Sequence, residues 1–210
     1  MKNRKTFIQQ LQEKVTVIAV SKNRSREQIE QLYHEGITAF GENKVQQLLS
    51  KAQPDDPWQW HFIGHLQTNK VKDVVTRCTL IHSVDSVRLL NEINKQAEKI
   101  SKVVDILIQI NLSDEESKYG CTREEVDNLI SIASHCSHVR LRGMMVMGPL
   151  SEDKAKSEKV FQEARMWFDK IKNTHPAIDV CSMGMSGDYT LAIENGSTMV
   201  RIGTLLFEWD

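Results

Sequence analysis

Short runs of contiguous apolar residues alternate with amphipathic stretches along almost the whole chain. The runs are VTVIAV (15–20), ITAFGE (37–42), WHFIG (60–64), LIHSV (80–84), VDILIQI (104–110), LRGMMVM (141–147), VCSMGM (180–185) and MVRIGT (199–204). Strands buried on both faces of a parallel sheet have no wet side, so they read as continuous rather than alternating apolar runs. Helical spacing fills the gaps. Ser25 and Gln28 form a capping box ahead of Ile29, Leu32 and Tyr33, and Gly36 supplies a stop. After Asp85 and Ser86, the residues Leu89, Leu90, Ile93, Ala97 and Ile100 share one face. Thr122 and Glu125 make a second capping box before Val126, Leu129, Ile130 and Ala133. A longer charged amphipath from Ser151 to Asn173 turns Val160, Phe161, Ala164, Phe168 and Ile171 inward, and a last helix runs from Asp188 to Gly196.

Eight strands alternating with helices predict an α/β fold closed into a (β/α)8 TIM barrel. A doubly wound open sheet is the alternative that the pattern alone allows. At 210 residues, with no long linker and no low-complexity segment, the chain is expected to form one domain spanning 1–210.

Composition narrows the function classes. A hydrophobic content of 40% and a charged content of 26% are ordinary for a globular protein. The net charge of -1 creates no global field for nucleic acid or an anionic membrane, so neither partner is expected. The opening MKNRKTFIQQLQEK lacks the apolar core of a secretory signal, and no later stretch is apolar enough to span a bilayer, which predicts a cytoplasmic protein. Cys78, Cys121, Cys136 and Cys181 are widely spaced, without a C-x-x-C pair or a nearby histidine at ligand spacing. They read as reduced thiols rather than as disulfides or a metal site. His61, His65 and His82 fall on different elements.

In such barrels the working face lies at the C-terminal ends of the strands. Those ends carry Ser21-Lys22, Glu42-Asn43, His61 and Gly64, Asn111, Met147, Met185-Ser186, and Arg201 with Gly203-Thr204. Lys22 follows VTVIAV with only Ser21 between, where partial burial would favour a free amine able to form an imine with an aldehyde. Ser186 and Gly187 precede the helix opened by Asp188, an arrangement suited to phosphate. In RIGT (201–204), Gly203 allows close backbone approach and Thr204 offers a hydroxyl. Arg201 could meet a phosphate or a ring nitrogen, or form a barrel-end salt bridge to Glu42 or Asp188. GxGxxG and GxxxxGK[ST] are both missing, against a dinucleotide fold or a P-loop.

The motifs AVSK (19–22), FGEN (40–43), WHFIGHLQTNK (60–70), SDEESKYG (113–120), LRGMM (141–145), SMGMS (182–186) and GSTMVRIGT (196–204) together resemble the single-domain proteins of pyridoxal phosphate homeostasis. These share their barrel with the N-terminal domain of alanine racemase. The resemblance implies pyridoxal 5'-phosphate as cofactor, held as an imine on Lys22. Ser186, Gly203 and Thr204 then fall at phosphate-binding positions. Arg201 matches an arginine facing the pyridine nitrogen, and Asn43 is a candidate ring contact. Two departures stand out: a short lead-in before the first strand, expected to clip the helix over the barrel bottom, and Glu208 where the family tends to place glycine.

Pyridoxal enzymes draw electrons into a protonated pyridine, and a charged Arg201 at that nitrogen disfavours protonation. Racemases with such an arginine use a tyrosine from an added β domain as second acid/base, and the sequence to Asp210 shows no such domain. The expectation is a monomeric carrier or regulator of pyridoxal 5'-phosphate, with apo-enzymes as candidate recipients and no catalytic residue. A minimal amino-acid racemase is the alternative, and a barrel enzyme acting on another phosphorylated aldehyde or sugar is a third reading.

Overall fold

A computed structural model describes residues 3–113, 119–149 and 153–209. Eight parallel strands close into a barrel in sequence order: β1 Thr16–Val20, β2 Ala39–Glu42, β3 Gln59–Phe62, β4 Leu80–Val84, β5 Val104–Ile110, β6 Val139–Val146, β7 Val180–Met185 and β8 Met199–Ile202. The closed order, with β1 paired to β8, excludes the open sheet. Around it lie α1 Arg4–Gln12, α2 Arg26–His34, α3 Val45–Lys51, α4 Val71–Arg77, α5 Val87–Glu98, α6 Val126–Ser134, α7 Lys154–Thr174, α8 Tyr189–Glu194 and α9 Thr204–Phe207. Among the described residues no helix is long and apolar enough to cross a membrane, and no group of three His, Cys, Asp or Glu side chains could hold a metal ion.

The predicted caps form as the sequence requires. Ser25 and Gln28 exchange both capping-box hydrogen bonds at the start of α2, and Gly36 leaves it at φ +111°. Thr122 and Glu125 do the same, opening a short 3-10 turn over Arg123–Glu125 that runs into α6. Ser151 and residues 114–118 of the SDEESKYG motif lie outside the described residues. The lead-in before β1 is not clipped to the point of losing its helix. Asn3 caps α1, Ile8 and Leu11 are buried, and Arg4 bridges to Glu35 at 2.5 Å.

Two apolar layers hold the barrel. The larger fills the space between strands and helices, with Phe40, Phe62, Phe161 and Phe168 fully buried. The smaller lies inside the barrel and contains Ile18, Ala39, Leu80, Leu107, Met145, Val180 and Met199. Each fully buried side chain of this size contributes about 1.5–3 kcal/mol relative to exposure. The inner layer plugs the barrel, so chemistry is confined to its ends.

Candidate functional site at the barrel mouth

The candidate residues occupy the C-terminal ends of four consecutive strands, β7, β8, β1 and β2, in that spatial order. Register fixes their proximity. Ile18 lies opposite Arg201 and Ala19 opposite Ile202, while Val20 lies opposite Gly41. A Cβ built on Gly203 would stand 3.5 Å from Val20, two residues before Lys22. Ser186, Gly203-Thr204, Lys22 and Asn43 therefore form one arc of the rim.

Lys22 is exposed. This corrects the partial burial expected at a strand end: the chain leaves the barrel wall at Ser21, and Lys22 already stands in the turn above the mouth. That turn is pinned on both sides to α3. The Ser21 hydroxyl donates to Glu42 Oε1 at 2.7 Å. Lys51 Nζ donates to the same oxygen at 2.7 Å and to the Ser21 carbonyl at 2.7 Å. Beyond Lys22, Asn23 adopts φ +58° and exchanges two hydrogen bonds with the Gln47 side chain, at 3.1 and 2.8 Å. Glu208 pairs with Arg24 of the same loop, so the residue that departs from the family's glycine braces the turn carrying Lys22.

The β7 and β8 ends are joined directly. Ser186 Oγ accepts from the Gly203 N–H at 3.1 Å, and Asp188 Oδ1 accepts from the Met185 N–H at 2.6 Å. The backbone N–H groups of Ser186 and Gly187 find no acceptor among the described residues. A Cβ on Gly187 would meet nothing within 4 Å, so that turn faces open space. Thr204 is exposed as the first residue of α9. On the other flank, Asn43 Oδ1 is buried without a partner. A Cβ on Gly64 would come within 2.1 Å of the Asn43 carbonyl, so only glycine lets these two segments meet.

Arg201 lies beneath this arc at 4% exposure. It donates from Nη1 to the Ser182 hydroxyl at 2.6 Å and carbonyl at 3.0 Å, and from Nη2 to the Val146 carbonyl at 3.0 Å. Burial lowers its pKa to about 10, leaving it charged at neutral pH. The salt bridge weighed for it is not formed: Glu42 holds Lys51, and Asp188 caps Met185.

His61 is not a rim residue. It is buried in the barrel, where its Nδ1 lies 3.0 Å from His82 Nε2, so two histidines that the sequence places on separate elements meet. His61 lines a cavity of about 780 Å³ at the opposite, N-terminal end, together with Gln59, Asp105 and Arg142. Arg142 and Arg140 there are committed to Asp105 and Asp179. Size alone does not mark the working end of this barrel.

The motif reading does not bring out Ser182, His82 and Lys51. A signal for the first two was available, since Ser182 is a lone serine in the apolar run VCSMGM and His82 stands with Ser83 in the apolar run LIHSV.

The family description "Alanine racemase, N-terminal domain" matches residues 1–209. A pyridoxal phosphate homeostasis protein of Pasteurella multocida is 41% identical over 199 residues, covering 92% of this chain and 85% of its own. PipY of Synechococcus elongatus, solved with PLP bound, superposes at a TM-score of 0.88 with 30% identity, covering 98% of this chain and 100% of its own. Alanine racemase of Clostridium difficile, in a complex with cycloserine, shares the fold at a TM-score of 0.74 and 15% identity, over 92% of this chain and 55% of its own. The chain belongs to the alanine racemase N-terminal domain family and, within it, groups with the pyridoxal phosphate homeostasis proteins.

Proposed function

We propose that this chain binds pyridoxal 5'-phosphate at the barrel mouth, as an imine on Lys22, and serves as a carrier or regulator that holds and releases the cofactor. The observation that carries this is the arc itself: one lysine flanked on consecutive strands by a turn whose N–H groups have no acceptor among the described residues and by an amide oxygen without a partner. The residues fit the group. The free N–H groups of Ser186 and Gly187, with Gly203 and Thr204 beside them, suit a phosphate. The buried, unsatisfied Asn43 Oδ1 asks for a donor at the ring. Lys22 would hold the group through its amine, and the group would supply the aldehyde that this amine takes up with release of water. Relatives named for pyridoxal phosphate homeostasis and the PLP-bound PipY support the same ligand.

Bound pyridoxal phosphate can supply an electron sink when its ring nitrogen is protonated. Arg201 stays charged and would face that nitrogen, opposing protonation by like-charge repulsion. This favours storage over amino-acid turnover, with no catalytic residue assigned. Residues 1–210 would act as one monomeric, cytoplasmic unit, with apo-enzymes as recipients of the cofactor.

The test is the visible spectrum of the purified protein with pyridoxal 5'-phosphate, followed by borohydride reduction and peptide mapping. An imine band and a reduced adduct on Lys22 are expected. No band, or an adduct mapped to another lysine of the wild-type protein, overturns the reading. Loss of α-deuterium from amino acids would replace the carrier with a racemase.

A further inference from the structure

A polar thread crosses the plugged interior of the barrel, and the mouth residues alone do not explain it. It runs from His61 on β3 to His82 on β4, on to Ser182 on β7, and ends at Arg201 on β8 under the proposed site. The separations are 3.0 Å for His61 Nδ1 to His82 Nε2, 3.3 Å for His82 Nδ1 to Ser182 Oγ, and 2.6 Å for Ser182 Oγ to Arg201 Nη1. Exposures of 3%, 0%, 0% and 4% leave His82, Ser182 and Arg201 to satisfy one another rather than bulk water, while His61 also borders the N-terminal cavity.

The direction of the thread follows from its charged end. A guanidinium only donates, so Ser182 Oγ accepts from Arg201. The one hydroxyl proton of Ser182 then goes to the neighbouring acceptor, His82 Nδ1. That leaves the His82 proton on Nε2, from which it is donated to His61 Nδ1, and leaves the His61 proton on Nε2. Both rings must be neutral for this to hold. Burial lowers the His61 pKa to about 4 despite the opposing pull of Asp105. Burial, then His61, then Arg201 push His82 well below its ordinary value.

We propose that His82, backed by His61, is a positioning residue: it locks the Ser182 hydroxyl in the orientation that anchors the Arg201 guanidinium, and so sets how that cation meets the cofactor ring. Without His82 the hydroxyl proton loses its acceptor and the rotor is free to turn. Arg201 then keeps its two carbonyl partners, while the hydroxyl oxygen that accepts from Nη1 no longer has a fixed orientation. The inference rests on the cofactor reading above, and its test separates the two.

In the cofactor-free protein, long-range 1H–15N spectra should show both rings neutral with the proton on Nε2, and Ser182→Ala should release the tautomer of His82. A charged His82, or one protonated on Nδ1, overturns the thread whatever the mouth binds. With pyridoxal 5'-phosphate bound, His82→Ala should move the visible band and speed cofactor release by about tenfold, the effect of one lost anchoring hydrogen bond. His82→Gln, whose amide oxygen can accept from Ser182, should restore both. Val75→Ala on α4, a core variant of comparable melting loss, should change neither. An unchanged band with release within about twofold of wild type for His82→Ala, or equal changes in Val75→Ala, overturns the positioning role. If His82→Ala does not fold, Ser182→Ala takes its place with the same expected shift. A wild-type protein without an imine band sinks the cofactor reading, while the ring spectra still decide the thread.

Discussion

Ser186 Oγ accepts the Gly203 N–H at 3.1 Å, tying the ends of β7 and β8 together at the turn proposed to hold the phosphate. This contact organises two short segments that are unremarkable one at a time. It also makes the turn's response to mutation specific.

Ser186→Ala combined with Thr204→Val should raise the dissociation constant for pyridoxal 5'-phosphate by about tenfold or more, the scale of a lost charge-assisted hydrogen bond. Pyridoxal, which lacks the phosphate, should bind as before. Titrations that show equal losses for the two aldehydes would remove the phosphate from this turn.

Lys51→Met should destabilise the fold by about 3 kcal/mol, because it leaves Glu42 buried as an unpaired carboxylate. Urea unfolding measures the loss. Imine formation with pyridoxal should slow as well, since Lys51 also holds the Ser21 carbonyl beside Lys22. Full stability in the variant would mean that the pair does not brace this turn.

Gly64→Ala forces the backbone near Asn43 to shift, because the new Cβ would lie 2.1 Å from the Asn43 carbonyl oxygen. A cost of about 2 kcal/mol is expected from such overpacking. Cofactor affinity should fall with it, as read by fluorescence titration. An unaltered midpoint in denaturant would show that the two segments are not in this close contact.

Stability should fall as pH drops from about 6.5 to about 4 through His61 and His82. The unfolded chain protonates these rings near 6.5, whereas the folded barrel keeps His61 neutral down to about 4. Their contribution is thus fully present above the unfolded value and lost on acidification. Each ring adds a slope approaching about 1.4 kcal/mol per pH unit inside that window. Unfolding free energies measured across it should become flatter in His61→Gln with His82→Gln; an unchanged slope would place both rings in contact with water.

Much of this was legible in the chain itself. The eight apolar runs, the Ser25–Gln28 and Thr122–Glu125 caps and the glycine stops are local signals, and each became the element it predicted. Lys22, Ser186, Gly203 and Thr204 could be named as candidates because strand ends in a barrel share one face, and Asn43 was added as a candidate by the family resemblance. What the sequence could not supply was which inner positions touch across the barrel. His61 and His82 are separated by 20 intervening residues and meet on the paired strands β3 and β4, whereas Ser182, 100 positions beyond His82 on β7, reaches His82 only across the interior of the closed barrel. The burial of Arg201 and the exposure of Lys22 were likewise decided by the tertiary structure. The strand period fixes the face on which a residue lies, whereas its depth depends on where neighbouring strands end and what fills the space between them.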